Sequence, residues 1–449
     1  MKRKIYSQLV EWKEKWHGET ALLIDGARRV GKSWIAEEFG RNEYKSYILI
    51  DFNNISRELL DIFENYITNL DEFFLRLSLS TGIRLYERES LIIFDEVQLY
   101  PKARGAIKYL VKDGRYDYLE TGSLISINKN VRNILIPSEE IRIKMYPMDF
   151  EEFLWALGEK DLYEFSRRMF KDLKPMGAFH RKLMDFLRSY LIIGGMPQSG
   201  GEYLETKDFI KVDSIKRNIL SLYRNDIEKY SERQKAKILK IFDNIPGLLQ
   251  QHERRFKPSA IKKGSRNRDY VDAFFWLQES MVANFCYAVS EPAISLALTK
   301  LDDRLKIYMG DTGLLLSMAF DRQTMEKEDI YRKIILNKLE FNKGMLIENF
   351  VAQQLLANGH PLYYYSSSSR TDKEDRMEID FLTLKEEITN NHNINAIEVK
   401  SSNRYSLVSL NRFGEKFAPY VYQKYVFHTS DLKKEGDIIF LPLYMAGMV

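Results

Sequence analysis

The 449-residue sequence predicts an α/β protein. Its first third alternates apolar strand candidates with helical stretches, a glycine-rich loop follows the first of those strands, and a pair of acids closes the third. Such alternation reads as a doubly wound parallel sheet, which binds ligands at the carboxyl ends of its strands. The expected layout is a nucleotide domain over residues 1–150, a helical lid or bridge over 151–215, a basic winged-helix module over 216–325 and a second α/β domain over 326–449.

The strand candidates of the first domain are Ala21–Ile24, Ser46–Asp51, Leu91–Phe94, Tyr116–Glu120 and Glu140–Met145. Behind the first stands Gly26-Ala27-Arg28-Arg29-Val30-Gly31-Lys32-Ser33, which fits G-x-x-x-x-G-K-[ST] and runs into the helical stretch from Trp34. Strand, loop and helix in that order give the motif mechanical meaning. The glycines let the backbone turn its N–H groups on an anion, Lys32 is expected to neutralise the outer phosphates, and Ser33 to offer its hydroxyl to Mg²⁺. ATP and Mg²⁺ are therefore the expected ligands.

Leu91-Ile92-Ile93-Phe94 is apolar without interruption, as expected of a buried parallel strand, and it ends in Asp95-Glu96. Asp95 is expected to hold the metal, directly or through water, and Glu96 to orient and polarise the attacking water. Thr121-Gly122-Ser123 closes the next strand, and Ser123 is expected to sense the terminal phosphate. Arg104, Arg115 and Arg132 are candidates for a charge-stabilising arginine; were one to act from a neighbouring subunit, a homo-oligomer would be needed.

From Asp149 to about Ile215 the pattern is helical, with a turn at Gly194-Gly195-Met196-Pro197. A basic block follows. Fifteen Lys and Arg stand against seven Asp and Glu between Ser214 and Asp272, although the whole chain carries only +4. Helices are expected over Ala236–Gln250, broken at Pro246-Gly247, then Pro258–Lys263, and Asn267–Val289, with Lys262, Lys263, Arg266 and Arg268 crowded before the last. That charge suits the backbone of a nucleic acid, DNA by expectation. The single cysteine, Cys286, excludes a disulfide framework and a cysteine-cluster metal site. No segment approaches the roughly eighteen uninterrupted apolar residues of a membrane helix, and Met1-Lys2-Arg3-Lys4 has no apolar signal core behind it, so a cytoplasmic protein with no membrane partner is expected.

The last block opens on a helix over Gly344–Asn358, followed by strands Pro361–Tyr365, Glu378–Leu384, Ala396–Val399 and Lys424–His428. Asp380 lies on one strand and Glu398 and Lys400 on the next, two apart and so on one face, while Glu348 sits on the helix. Asp380 and Glu398 are positioned to share Mg²⁺, with Lys400 beside a water.

Taken together, Leu22–Ser33, Phe94-Asp95-Glu96-Val97-Gln98, Thr121-Gly122-Ser123, Tyr146-Pro147-Met148-Asp149-Phe150, Gly194-Gly195-Met196-Pro197, Tyr308-Met309-Gly310-Asp311-Thr312-Gly313-Leu314, Ile347-Glu348-Asn349, Glu378-Ile379-Asp380-Phe381 and Glu398-Val399-Lys400 resemble, in order, the prokaryotic AAA+-type ATPases with a C-terminal DUF4143 region. The resemblance implies a P-loop AAA+-type (AAA_14) core, a winged-helix region and a C-terminal restriction-endonuclease-like, PD-(D/E)xK domain. In that family's terms Glu348, Asp380, Glu398 and Lys400 would form a nuclease-like site. Ser33 stands where Thr is usual, which keeps the hydroxyl. The expected function is a Mg²⁺-dependent ATP hydrolase coupling nucleotide state to DNA binding and, through Asp380, Glu398 and Lys400, to metal-dependent cleavage. The rival is a slow-turnover ATP switch of signalling or defence type whose C-terminal domain only binds.

Overall fold

The apolar runs Ala21–Ile24 and Leu91–Phe94 become inner strands of a parallel sheet, because each is long enough for a strand and too apolar to leave either face in water. The computed structural model describes residues 1–16, 18–122, 139–251, 254–261, 263–293, 295–327, 329–338, 343–367, 376–385, 392–402 and 404–449. Two units emerge, Met1–Tyr146 with Glu279–Met281, and Pro147–Gln278 with Val282–Val449.

In the first unit β1 (Ala21–Gly26), β2 (Ser46–Asp51), β3 (Ser90–Asp95), β4 (Asp117–Gly122) and β5 (Glu140–Met145) are ordered β2-β3-β4-β1-β5. All neighbours are parallel. Every residue of β1, β3 and β4 is buried. The helices of this unit are α1 (Ile5–Trp16), α2 (Lys32–Glu43), α3 (Arg57–Asn65), α4 (Leu70–Thr81) and α5 (Pro101–Asp113). An aromatic core of Phe52, Phe63, Phe73 and Phe94, in edge-to-face contacts, fills the space between α3, α4 and the β2–β3 side of the sheet. Strand order has a functional consequence: β4 lies between the strand that carries the glycine loop and the strand that carries Asp95-Glu96, so three carboxyl ends stand side by side.

The second unit begins with α6 (Phe150–Ala156), α7 (Lys160–Asp172), α8 (Ala178–Ile193), α9 (Pro197–Thr206) and α10 (Phe209–Ile227), followed by α11 (Glu232–Gln250), α12 (Pro258–Ile261) and α13 (Val271–Glu279). Its sheet takes β6 (Ala283–Val289), β7 (Lys300–Met309), β8 (Tyr363–Ser367), β9 (Met377–Leu384), β10 (Ile394–Val399), β11 (Val421–His428), β12 (Lys433–Glu435) and β13 (Ile438–Pro442) in the order β12-β13-β11-β10-β9-β8-β6-β7. Helices α14 (Thr312–Ala319), α15 (Arg322–Lys327), α16 (Ile330–Ile335), α17 (Lys343–Ala357) and α18 (Val408–Lys416) complete it.

Two expectations for the basic block are corrected. Pro246 does not break its helix, since α11 runs from Glu232 to Gln250 through it; the buried stripe Ile241, Phe242, Ile245, Leu248 and Leu249 holds the helix together against the one lost N–H. The helix expected over Asn267–Val289 stops at Glu279, Met281 takes φ 53°, and Ala283–Val289 is a strand. That strand is almost wholly buried, and a mostly apolar run broken only at Asn284 has no period by which strand and helix can be told apart. As a result β6 and β7, from the segment expected to be a separate module, share one sheet with the C-terminal strands through the parallel pair β6–β8.

Candidate functional site

Gly31 ends the loop at φ 98° and Arg29 takes φ 72°, the left-handed geometry that turns the chain sharply into α2. Gly31 is also the N-cap of α2 and supplies no capping side chain. The first N–H groups of a twelve-residue helix are thus left for an anion. At Gly26 a Cβ would collide with the Met145 carbonyl on β5, so this position admits no side chain. A residue outside the motif braces the loop: Arg3, buried, donates to Val30 O at 2.8 Å and to Tyr146 O at 2.6 Å. An isolated arginine before the first helix carries no sequence signal, and its role was not foreseen.

Lys32 is buried and its ammonium donates to Gly26 O at 2.9 Å and Ala27 O at 3.1 Å, folded over the loop that would cradle a phosphate. Burial pulls it below the ordinary lysine range, while Glu96, Asp25 and Asp95 oppose the shift. Asp95 closes β3 and is raised above the usual carboxylate range by burial, against hydrogen bonds from Thr121 and Ser33. The donor set of Ser33 hydroxyl and Asp95 carboxylate, all hard oxygen, fits Mg²⁺. Glu96 stands at φ 54°, and its backbone N–H donates to Thr121 Oγ1 at 3.2 Å. Its carboxylate accepts a hydrogen bond from the Gln98 side chain. Thr121 thereby ties the two acids to the end of β4, a position the strand order alone explains. Ser123, expected as the phosphate sensor, lies outside the described residues.

Two of the arginine candidates are engaged within the first unit. Arg104 is fully buried and paired with Glu120 at 3.5 Å and Glu140 at 2.8 Å, so it cannot reach a phosphate. Arg115 pairs with Asp71 at 2.7 Å and Asp113 at 2.8 Å. Arg132 is outside the described residues.

In the second unit β9 and β10 pair antiparallel with Phe381 opposite Ile397, which brings Asp380 beside Glu398 as the spacing predicted. Val399 N donates to Asp380 Oδ2 at 2.8 Å. Glu398 is buried, its carboxyl pushed up to about 7 by that burial, and it pairs with Lys400. Glu348 is also buried; it accepts from Tyr308 OH at 2.6 Å and pairs with Arg254. A residue missed in the sequence sits among them. Lys306 of β7, buried, lies 2.8 Å from Glu378 Oε1, 3.7 Å from Glu348 Oε1 and 3.9 Å from Asp380 Oδ1. Among the described residues no group of three His, Cys, Asp or Glu is arranged to hold a metal ion. The expected divalent metal on Asp380 and Glu398 does not fit: the chain's own cations, Lys306, Arg254 and Lys400, already stand against its carboxylates. Lys306 and Tyr308 alternate on one face of β7, but that periodicity is visible only to a reader who knows β7 is a strand.

Of the basic cluster, Lys263, Arg266 and Arg268 are exposed, and Lys262 is outside the described residues. Asp269 sits among them, held below the usual carboxylate range by the Arg266 backbone N–H and the charges of Arg268, Lys237 and Arg266. Part of the block's positive charge is spent on pairs such as Arg224–Asp243 at 2.8 Å and Lys229–Asp226 at 2.8 Å.

The remaining motifs on which the resemblance rests meet in one buried cluster. Asp311 Oδ2 accepts from Gly195 N at 2.5 Å, Met148 N donates to Gly195 O at 2.7 Å, Tyr190 OH donates to Met148 O at 2.5 Å, and Gln353 donates to Tyr190 OH at 2.9 Å. Asn349 accepts from Met309 N at 2.8 Å, and Gln354 accepts from Phe150 N at 2.8 Å. These motifs hold the second unit together.

Among described residues no helix is long and apolar enough to cross a membrane. Residues 18–154 match the family model of an AAA domain, AAA_14, residues 184–325 match a domain of unknown function, DUF8612, and residues 343–445 match another, DUF4143. No curated protein matches. Solved structures with some likeness are a Walker-type ATPase of Pyrococcus abyssi (16% identity, TM-score 0.44, covering 71% of this chain and 96% of that one) and the Orc1 protein of Aeropyrum pernix in complex with DNA (12% identity, TM-score 0.29, 74% and 94%). The Cdc6p of Pyrobaculum aerophilum is another (12% identity, TM-score 0.26, 75% and 94%). By these matches the first unit is similar to an AAA domain, and most of the second to two domains whose descriptions give no activity.

Proposed function

We propose that this protein binds ATP with Mg²⁺ and hydrolyses it slowly, and that its nucleotide state governs a second unit that binds nucleic acid without cutting it. The carrying observation is the convergence of Lys32, Ser33, Asp95, Glu96 and Thr121 at the ends of β1, β3 and β4. Bound Mg²⁺ would supply charge neutralisation across the phosphates. The chain does the rest: the loop N–H groups and Lys32 hold the phosphates, Ser33 and Asp95 hold the metal, and Glu96 takes the water's proton or aligns it. Glu96 is turned toward Gln98 in this structure, which fits a site that is not poised for rapid turnover.

Support for a winged-helix reading of residues 232–309 is the order α11, α12, α13, then the antiparallel hairpin β6–β7, with Arg255 bridging to Lys306 as a short third strand. Exposed Lys263, Arg266 and Arg268, in the segment that leads into the third helix, suit phosphate contact. The reading favours binding over cleavage because Lys306 stands among the carboxylates a nuclease would give to a metal. ATP turnover of the full chain with and without duplex DNA tests the whole: slow basal turnover altered severalfold by DNA, with intact plasmid in Mg²⁺ or Mn²⁺, is expected. Turnover indifferent to DNA removes the coupling, and plasmid cleavage lost in Asp380→Ala restores the nuclease.

A further inference from the structure

We infer that Lys306 is a built-in cation in the place where a nuclease-like fold would hold a divalent metal, and that it converts the site into an electrostatic clamp between β7, α17 and β9. The side chain leaves β7 on the same face as Tyr308, and both reach Glu348: the phenol donates at 2.6 Å and the ammonium lies at 3.7 Å. On the other side the ammonium meets Glu378 at 2.8 Å and Asp380 at 3.9 Å, two residues apart on one face of β9. The Tyr308 and Phe381 rings, 5.6 Å apart, pack next to the pairs, and the Tyr364 ring lies 4.9 Å beneath the ammonium. Lys306 is 1% exposed and Glu348 1%, so water does little to weaken that attraction, whereas Glu378 and Asp380 reach the ammonium from the part-exposed side.

Charge bookkeeping agrees with the geometry. Glu348, Glu378, Asp380 and Glu398, the last pushed up to about 7 and so only partly ionised near neutrality, face Lys306, Arg254 and Lys400, which leaves at most one net negative charge where a divalent ion would need two or more. A metal ion drawing oxygens to roughly 2.0–2.6 Å would have to enter the space of the ammonium and face it as a like charge. A buried carboxylate deprived of its cation is costly, which is why the chain carries three cations here. The middle hairpin and the C-terminal strands, read separately in sequence, are thereby joined at their most polar point.

The clamp concerns the second unit alone and holds or fails without reference to ATP. Its test is Mn²⁺ binding by the full-length protein, free of nucleotide, followed by electron paramagnetic resonance. Wild type and Asp380→Asn should bind equal Mn²⁺, since neither has a site there. Lys306→Ala should gain one Mn²⁺ per chain, with at least tenfold tighter binding than wild type, and Lys306→Ala with Asp380→Asn should lose it again. A wild-type Mn²⁺ site that disappears in Asp380→Asn overturns the inference, as does a folded Lys306→Ala that gains none. Should Lys306→Ala not fold, the wild-type and Asp380→Asn pair decides alone, and Lys306→Arg, which keeps the charge, should fold and bind no more Mn²⁺ than wild type.

Discussion

Lys32 is the residue whose removal separates binding from everything after it. Without its ammonium the outer phosphates face only loop N–H groups, and Lys32→Ala should weaken ATP binding at least a hundredfold by titration calorimetry, a loss of about 3 kcal/mol for a charge-assisted contact. Unchanged affinity would place the nucleotide elsewhere. In the proposed site Glu96 would act on water and not on the phosphates, so Glu96→Gln should bind ATP like wild type while turnover falls about a hundredfold or more, read by phosphate release. Both residues are legible as candidates because their signals are local: a loop of fixed spacing, and two acids at the end of an apolar run. Arg3 and Lys306 were not, since each acts across more than a hundred residues or from a strand whose neighbours decide its meaning.

At the scale of elements, Gly195 shows what the Gly-Gly-Met-Pro turn does. A Cβ there would run into the Met148 backbone, and at Gly313 it would lie 2.6 Å from Ile193 O and Gly194 N. Gly195→Ala should therefore destabilise the second unit by about 1–3 kcal/mol or more, as overpacking against immovable backbone does, with its calorimetric transition lowered and ATP affinity of the first unit retained. Loss of ATP binding with no change in melting would make the motif part of the nucleotide site. The exposed segment before α13 carries a different prediction. Reversing Lys263, Arg266 and Arg268 to Glu should weaken duplex DNA binding at least tenfold and reduce the magnitude of the salt slope by about three if each meets a phosphate, measured by fluorescence anisotropy against salt. Binding that survives unchanged assigns these cations to a solvated face, consistent with the internal pairing of their neighbours.

At the scale of the whole molecule, pH reports the cost of the buried network. Burial depresses the Lys216 ammonium to about 8 from 10.5, although it donates to Ile192 O at 2.7 Å and Gly313 O at 3.2 Å and lies near Asp213 and Asp311. Below pH 8 both the folded and the unfolded chain carry this proton. Between about 8 and 10.5 the unfolded chain still binds it and the folded chain does not, so this group's contribution to stability rises with pH. Lys216→Met should lose that rise, on the order of 2 kcal/mol between pH 8 and 10, in urea unfolding followed by tryptophan fluorescence. An identical pH profile in the variant would mean the lysine is not buried as a cation.

Sequence alone determined the first unit's sheet, its glycine loop and its acidic pair, and the juxtaposition of Asp380 on β9 with Glu398 on β10, because each rests on periodicity or spacing within a few dozen residues. What it did not determine were the features made by distant segments. Strand order placed Thr121 against Asp95 and Glu96; the parallel pairing of β6 with β8 fused the middle block to the C-terminal sheet. Lys300–Met309 begins with charged, exposed residues and ends buried, so it offers neither alternation nor an apolar run. Its place at the sheet edge is fixed by pairing with β6 and by the burial of Tyr308 and Lys306. A lysine in a sequence is a surface charge by default; only the tertiary structure, by removing water around it and bringing Glu348, Glu378 and Asp380 to it, decided that Lys306 belongs to the interior and that the carboxylates around it already face a cation of the chain.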